Sequence, residues 1–162
     1  MSASRIPLIR PEEITQPEKP ALRTVAEQQG RVRDLEAELR KSVEGEVRFD
    51  AGSRAMYAVD ASNYRQVPIG VVVPKSIDDV VHVVAACRKF DVPLLSRGGG
   101  TSLAGQCCNV GIVIDWTKYV HGVLEVNLHE RWARVLPGTI CDELRKAAMK
   151  ASNNLLNWGP DP

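Results

Sequence analysis

The sequence predicts an α+β fold: a β-α-β unit joined to an antiparallel hairpin and a closing helix. Three observations carry that expectation. Two short aliphatic runs, Gly70-Val-Val-Val and Pro93-Leu-Leu-Ser96, flank a segment whose apolar residues recur at helical spacing. A third run, Gly111-Ile-Val-Ile-Asp115, follows across a glycine-rich loop. Two alternating segments, Val123 to Leu128 and Arg131 to Leu136, then lie on either side of His129-Glu130, as in a hairpin.

In chain order, residues 1–24 carry Pro7, Pro11, Pro17 and Pro20 among many charges and are expected to form a flexible leader, leaving 25–162 as the folded domain. Val32, Leu35, Leu39 and Val43 recur at helical spacing, and Gly45 is placed to end that helix. Residues 46–70 show no clear period, and Asp50 to Asn63 is expected to be irregular. The run ending at Val73 is stopped by Pro74 and predicts a buried strand. Ser76 then caps a helix through the amide of Asp79, and Asp78-Asp79 suits the positive end of the helix dipole. Val80, Val84 and Cys87 are expected to share one face. The next strand follows within about 25 residues, the length of a compact crossover between parallel strands. Pro137-Gly138 breaks the second hairpin strand. Thr139, with Asp142 three residues on, is expected to cap a helix through Lys150, with Ile140, Leu144, Ala147 and Ala148 inward.

Composition excludes several partner classes. Lys and Arg number 21 against 20 Asp and Glu, so no basic excess draws the chain to nucleic acid. No apolar run approaches the roughly 20 residues a membrane helix needs, and Met1 to Arg10 has no signal-peptide pattern, so a cytoplasmic location is expected. Cys87, Cys107, Cys108 and Cys141 form no Cys-x-x-Cys pair, and His82, His121 and His129 stand at no metal-ligand spacing. The cysteines are expected to be unpaired, small, buried apolar residues. His82, Asp60 and Asp115 read as a helix-surface, a turn and a strand-end residue, and no residue is assigned a catalytic role.

The chemistry concentrates in Arg97-Gly-Gly-Gly-Thr-Ser-Leu-Ala-Gly-Gln106, directly after a predicted strand. Consecutive glycines let amide N–H groups approach and converge on an oxyanion. Thr101 and Ser102 add hydroxyl donors, and Arg97 is expected to place charge at the rim. A P-loop would need a lysine at the end of the loop, and there is none. A Rossmann fingerprint would need Gly-x-Gly-x-x-Gly opening a helix, which Gly98, Gly100 and Gly105 do not match. A plain glycine-rich turn stays open as the alternative.

Pro74-Lys-Ser-Ile-Asp-Asp-Val80, Pro93, the loop Arg97 to Gln106, Asp115, Pro137-Gly138 and Pro160-Asp-Pro162 together resemble the vanillyl-alcohol-oxidase (PCMH) type of FAD-binding domain. Within it they are similar to the branch of FAD-linked oxidases holding glycolate oxidase subunits and D-lactate or D-2-hydroxyglutarate dehydrogenases. Asp60-Ala-Ser-Asn-Tyr64 fits the same branch. The resemblance spans about residues 40–162, with the glycine loop as its most specific part. It implies that Gly98, Gly99, Gly100, Thr101 and Ser102 hold the FAD pyrophosphate, that Gly105 and Gln106 continue that wall, that Pro137 and Gly138 line the cofactor channel, and that Pro160 and Asp161 begin a further contact. Some members attach flavin covalently through a histidine in this loop. Thr101 stands at that position, which implies non-covalent FAD. The resemblance also implies that the chain holds only the first β-α-β lobe and the start of the second mixed lobe. The rest, with its substrate-binding cap, would come from further sequence or a partner chain. The parent would oxidise a D-2-hydroxy acid such as lactate, glycolate or 2-hydroxyglutarate, in the cytoplasm or peripheral to the inner membrane, and this part alone would be inactive. A non-enzymatic interaction fragment and another nucleotide-phosphate binder are the competing readings.

Overall fold

The computed structural model describes residues 25–155. The expected leader at 1–24 and the segment Pro160-Asp161 lie outside the described residues.

The core is a four-stranded sheet of β1 (Glu46–Arg48), β2 (Gly70–Val73), β3 (Leu94–Arg97) and β4 (Ile112–Asp115), in the order β1-β2-β4-β3. β2 and β3 both run parallel to β4, and β1 lies antiparallel along β2. The crossover from β2 to β3 therefore spans two strand positions, and β4 fills the gap between them. Every residue of β2 and β4 is buried. Strands covered on both faces are expected to read as unbroken aliphatic runs, as Gly-Val-Val-Val and Ile-Val-Ile-Asp do.

Alternation along the strands divides these side chains between two faces. Val72, Ile112 and Ile114 meet Leu35, Leu39 and Val43 at the carboxyl end of α1 (Val25–Ser42) and Val83, Ala86 and Cys87 of α3 (Ile77–Lys89). Val71, Val73 and Val113 meet Tyr57 and Leu95 on the other face, the side of α2 (Ala51–Met56). Each fully buried aliphatic side chain contributes about 1.5–3 kcal/mol relative to exposure.

Asp79 joins three elements. It is 2% exposed, and its carboxylate accepts hydrogen bonds from the amides of Glu44 (2.8 Å), Gly45 (3.0 Å) and Lys75 (2.8 Å). The end of α1, the exit of β2 and the first turn of α3 are thereby tied together, while Ser76 caps α3 as expected, its hydroxyl accepting from the Asp79 amide at 3.2 Å. Within α3 the buried residues are Asp79, Val83, Ala86 and Cys87; Val80 packs against the core as well, whereas Val84, expected on the same face as Val80 and Cys87, is exposed.

The expected hairpin forms from β5 (Val123–Asn127) and β6 (Trp132–Val135), antiparallel, with a register shift between Val123 and Glu125. α4 (Cys141–Ala151) follows and contacts β5. Its predicted cap is corrected. The N-cap residue is Ile140, with no side-chain cap bond, and Ile140 itself is exposed. The Thr139 hydroxyl instead accepts from the Gly122 amide at 3.0 Å and lies within donating distance of the Gly122 and Leu136 carbonyls.

Residues 46–70, expected to be without clear period, contain β1, α2 and an isolated antiparallel bridge between Val59 and Arg65. Asp50 caps α2 by accepting from the Ser53 amide at 2.8 Å. Among the cysteines, all unpaired, Cys87 is buried, Cys107 and Cys108 are half-buried and Cys141 is exposed, so only Cys87 fits the expectation of a buried apolar residue. Among the described residues no helix is long and apolar enough to cross a membrane.

Candidate functional site

The glycine loop leaves the carboxyl end of β3, and the segment from Trp116 to His121 leaves the carboxyl end of the adjacent β4. A crevice at the carboxyl ends of parallel strands is the usual ligand position in an open α/β sheet. Here a cavity of about 600 Å³ lies between these loops and the exit of the hairpin. Gly98, Gly99 and Thr101 form one wall. Thr117 and His121 form the second, and Pro137, Gly138 and the amino end of α4 at Ile140, Cys141 and Glu143 form the third. Two segments 40 residues apart in sequence and expected to serve one cofactor thus face a common space.

Two kinds of glycine appear in these walls. A Cβ on Gly98 would meet nothing within 4 Å, and one on Gly99 would meet only the Thr101 methyl at 3.7 Å. The protein's own packing does not require glycine at either position, so open space above bare amides is left for a ligand that must come close. Gly138 differs: a Cβ there would stand 2.3 Å from the Trp116 carbonyl oxygen. Its amide donates to the Val120 carbonyl at 2.9 Å, which holds the hairpin exit against the β4 loop.

Arg97 stands beneath the loop rather than at its rim, a correction of position. It is 9% exposed, and its guanidinium donates to the carbonyls of Val59 (2.9 Å) and Cys107 (3.0 Å). Gly100, at φ +69°, passes directly over it; a Cβ there would lie 2.5 Å from Nη2. The loop is held from the same side at other points. The Ala61 amide donates to the Gly100 carbonyl at 3.1 Å, and the Cys107 amide donates to Asp60 Oδ2 at 3.2 Å. Asp60 also makes the expected turn, accepting from the Ser62 amide at 2.9 Å, and the Ser62 hydroxyl bonded to it holds its carboxyl below the usual range. Ser102 and Gln106 bond to each other, and Gly105 lies against the Tyr64 ring. None of these three lines the cavity.

The second wall is anchored separately. Asp115 Oδ1 accepts from the Thr117 amide at 2.8 Å and its hydroxyl at 2.7 Å. Glu46 in β1 accepts from Lys118 Nζ, from the Tyr119 hydroxyl at 2.9 Å and from Arg48, and these bonds, Lys118 first, lower its carboxyl to about 2. A carboxyl lowered on folding adds stability above its unfolded value, and that stability is lost as pH falls toward the folded value. The gap in urea midpoint between the unaltered chain and Glu46→Gln is therefore expected to be constant above about pH 5 and to close between pH 4.5 and 2. A gap independent of pH would show that Glu46 is not ionised in this cluster.

The electrostatics suit an anion on the loop side. Bare amides and the uncapped start of α4 supply positive potential, while Glu143 puts a carboxylate at the far wall. No Lys or Arg is among the lining residues. A second concavity, of about 480 Å³, lies at the opposite, amino ends of β2 and β3, between Val32, Ile69, Val92 and Pro93. Gln28, Gln29, Arg31, Arg33 and Asp91 also border it, and it includes no glycine loop.

Glycine amides at the carboxyl ends of parallel strands, facing an uncapped helix start, form the kind of concavity in which phosphate oxyanions are commonly bound. Residues 68–159, more than half of the chain, match the FAD binding domain, and the chain belongs to that family. D-2-hydroxyglutarate dehydrogenase of Pseudomonas putida is 37% identical over 129 residues, covering 78% of this chain and 13% of that protein. The glycolate oxidase subunit GlcD of Bacillus subtilis is 30% identical over 125 residues, covering 74% of this chain and 26% of that subunit. The chain thus spans about an eighth and about a quarter of their lengths. Among solved structures, 4-ethylphenol oxidase from Gulosibacter chungangensis superposes with a TM-score of 0.65 at 23% identity, over 80% of this chain and 28% of that one. At that identity the likeness speaks for the fold. The α+β architecture is that of vanillyl-alcohol-oxidase-type flavoenzymes, as the resemblance implied, and the cofactor of the family is FAD.

Proposed function

We propose that the chain supplies the pyrophosphate wall of an FAD site in an oxidoreductase acting on a D-2-hydroxy acid, with 2-hydroxyglutarate, glycolate and lactate as the substrates to test. One observation carries this reading. Gly98, Gly99 and Thr101 share a cavity with Pro137 and Gly138, and the two glycines of the loop have room for a ligand to approach their amides. The names of the dehydrogenase and the oxidase subunit support the substrate class.

Gly98 and Gly99 would offer amide donors to the pyrophosphate, with Thr101 adding a hydroxyl. Gly100 and Arg97 would keep that surface in shape, and Ser102, Gly105 and Gln106 would brace the loop's return. Pro137, Gly138 and Thr139 would line the cofactor channel opposite the loop, with Glu143 at its far wall. Pro160 and Asp161 would add a contact of their own. Thr101, standing where some members carry the attaching histidine, is not a suitable nucleophile for flavin attachment, so the cofactor would be held non-covalently. Bound FAD accepts the hydride in such oxidations; the protein's part is to bind and orient it. The cytoplasm, where thiols stay reduced, suits the four unpaired cysteines.

A hydroxy acid needs a cationic partner for its carboxylate, and no Lys or Arg lines this cavity. The chain with added FAD is therefore expected to bind the cofactor only weakly and to reduce no dye with D-2-hydroxyglutarate, glycolate or D-lactate. ATP or NAD competing as well as unlabelled FAD would favour a general nucleotide-phosphate binder. Turnover of any of the three acids would show that substrate groups within this chain have been overlooked.

A further inference from the structure

Arg97 and Asp115 are cross-strand partners at the carboxyl ends of β3 and β4, the points where the two cavity walls begin. Both are buried charges. Adjacent buried charges of opposite sign would ordinarily meet as an ion pair, yet among the described residues these two connect through Tyr57. The Tyr57 hydroxyl donates to Asp115 Oδ2 at 2.5 Å, and the Arg97 guanidinium lies over the Tyr57 ring, 5.3 Å from its centroid. Arg97 also reaches the Tyr57 carbonyl at 3.5 Å. Each partner leads to one wall. Arg97 supports Gly100 from below, and the other oxygen of Asp115 holds the Thr117 amide and hydroxyl.

Tyr57 is itself well fixed. It is the C-cap residue of α2, its backbone N–H bonded to the Ala55 carbonyl, and its ring packs on Val71, Val73 and Val113. Burial, reinforced by the neighbouring carboxylate, pushes its phenol up to about 12, so it remains a donor at any pH at which the fold is studied.

We propose that Tyr57 is a positioning residue of the FAD site, setting the spacing between the glycine loop and the Thr117 wall by joining Arg97 to Asp115. This rests on the assignment of the cavity to FAD and adds a residue outside it, from a segment with no phosphate-binding motif. Tyr57 touches neither the cavity nor any reacting atom, and it acts only through its two partners.

The variant that isolates this role is Tyr57→Phe, which keeps the ring against Arg97 and the valines and deletes only the hydroxyl. Two measurements on the full chain test it. Amide hydrogen exchange without ligand is expected to accelerate about tenfold at Ala61, whose amide is bonded to the Gly100 carbonyl of the loop, and at Thr117, bonded to Asp115, with Val72 and Val113 unchanged. Titration with FAD, followed by amide chemical shifts, is expected to give a dissociation constant about tenfold higher, the scale of one charge-assisted hydrogen bond. Exchange within twofold of the unaltered chain at both walls would overturn the proposal. So would acceleration spread equally through β2 and β4, because that marks a general loss of stability. Unchanged exchange and affinity in Asp115→Asn would count against it too. Should the unaltered chain show no saturable FAD binding, the assignment of the cavity to FAD fails and the proposal falls with it as a statement about cofactor, whereas the exchange experiment still decides the mechanical link.

Discussion

Asp79→Ala is expected to lower the unfolding free energy by about 3–5 kcal/mol. The carboxylate satisfies three backbone amides, from Glu44, Gly45 and Lys75, in a setting where the side chain is 2% exposed. Truncation removes three charge-assisted bonds at once and leaves the donors without replacement, since a Cβ has nothing to offer them. Domains of this size are stable by about 5–15 kcal/mol, so one residue would carry a large share of the total. Asp79→Asn is expected to cost less, about 1–2 kcal/mol, because one carbonyl oxygen can still serve Gly45 and Lys75 while the amide nitrogen faces the Glu44 N–H. Urea unfolding of the three proteins measures both values. A loss below about 1 kcal/mol for Asp79→Ala would mean that the three segments are held by their apolar contacts alone.

Gly99→Val is expected to weaken FAD binding about a hundredfold, or about 2.7 kcal/mol, with little change in the unfolding midpoint. The separation of the two effects follows from the geometry. A Cβ on Gly99 would touch only the Thr101 methyl, at 3.7 Å, so the fold has room for it. The same atom, with its two methyl groups, would occupy the space from which a pyrophosphate must reach the loop amides. Flavin fluorescence or amide shifts report the binding, and thermal unfolding reports the fold. Gly138 cannot make this distinction, because a Cβ there would lie 2.3 Å from the Trp116 carbonyl and disturb the backbone itself. Undiminished FAD binding by Gly99→Val would move the pyrophosphate away from this loop.

The parts of the fold that were legible in the sequence are those whose local pattern and tertiary setting agree. Gly70–Val73 and Ile112–Asp115 read as buried strands because both faces are covered, and the Ser76 cap was visible from its spacing to Asp79. α2 was not legible. Its six residues, Ala-Gly-Ser-Arg-Ala-Met, include poor helix formers and bury nothing, so no hydrophobic period marks them. β1 is three residues long, two of them charged, and is a strand because β2 offers it a pairing edge. Thr139 and Asp142 have the spacing of a cap, but Gly122, seventeen residues away in sequence, takes the Thr139 hydroxyl.

At the candidate site the glycine loop and Pro137-Gly138 could be named from the sequence, and the structure sets them around one cavity. The support beneath them could not be named. A charge beside three glycines reads as a rim residue, and nothing local shows that the Arg97 side chain turns back toward Val59 and Cys107. Asp60 and Asp115 were legible as turn and strand-end residues because part of their bonding is local. Their longer reach, to Cys107 and Tyr57, depends on contacts 47 and 58 residues apart. Such positions leave no periodic trace in a single sequence.

FAD is expected to lodge its pyrophosphate between the glycine loop and the hairpin exit. Titration of FAD into the isotopically labelled chain, read residue by residue from amide shifts, tests it most directly, because even millimolar binding is mapped. Gly98, Gly99, Thr101, Gly138 and Thr139 are expected to shift together with a single dissociation constant, while Val32, Ile69 and Val92 at the opposite concavity stay in place. Saturable shifts centred on those three residues, with the glycine loop unmoved, would contradict it.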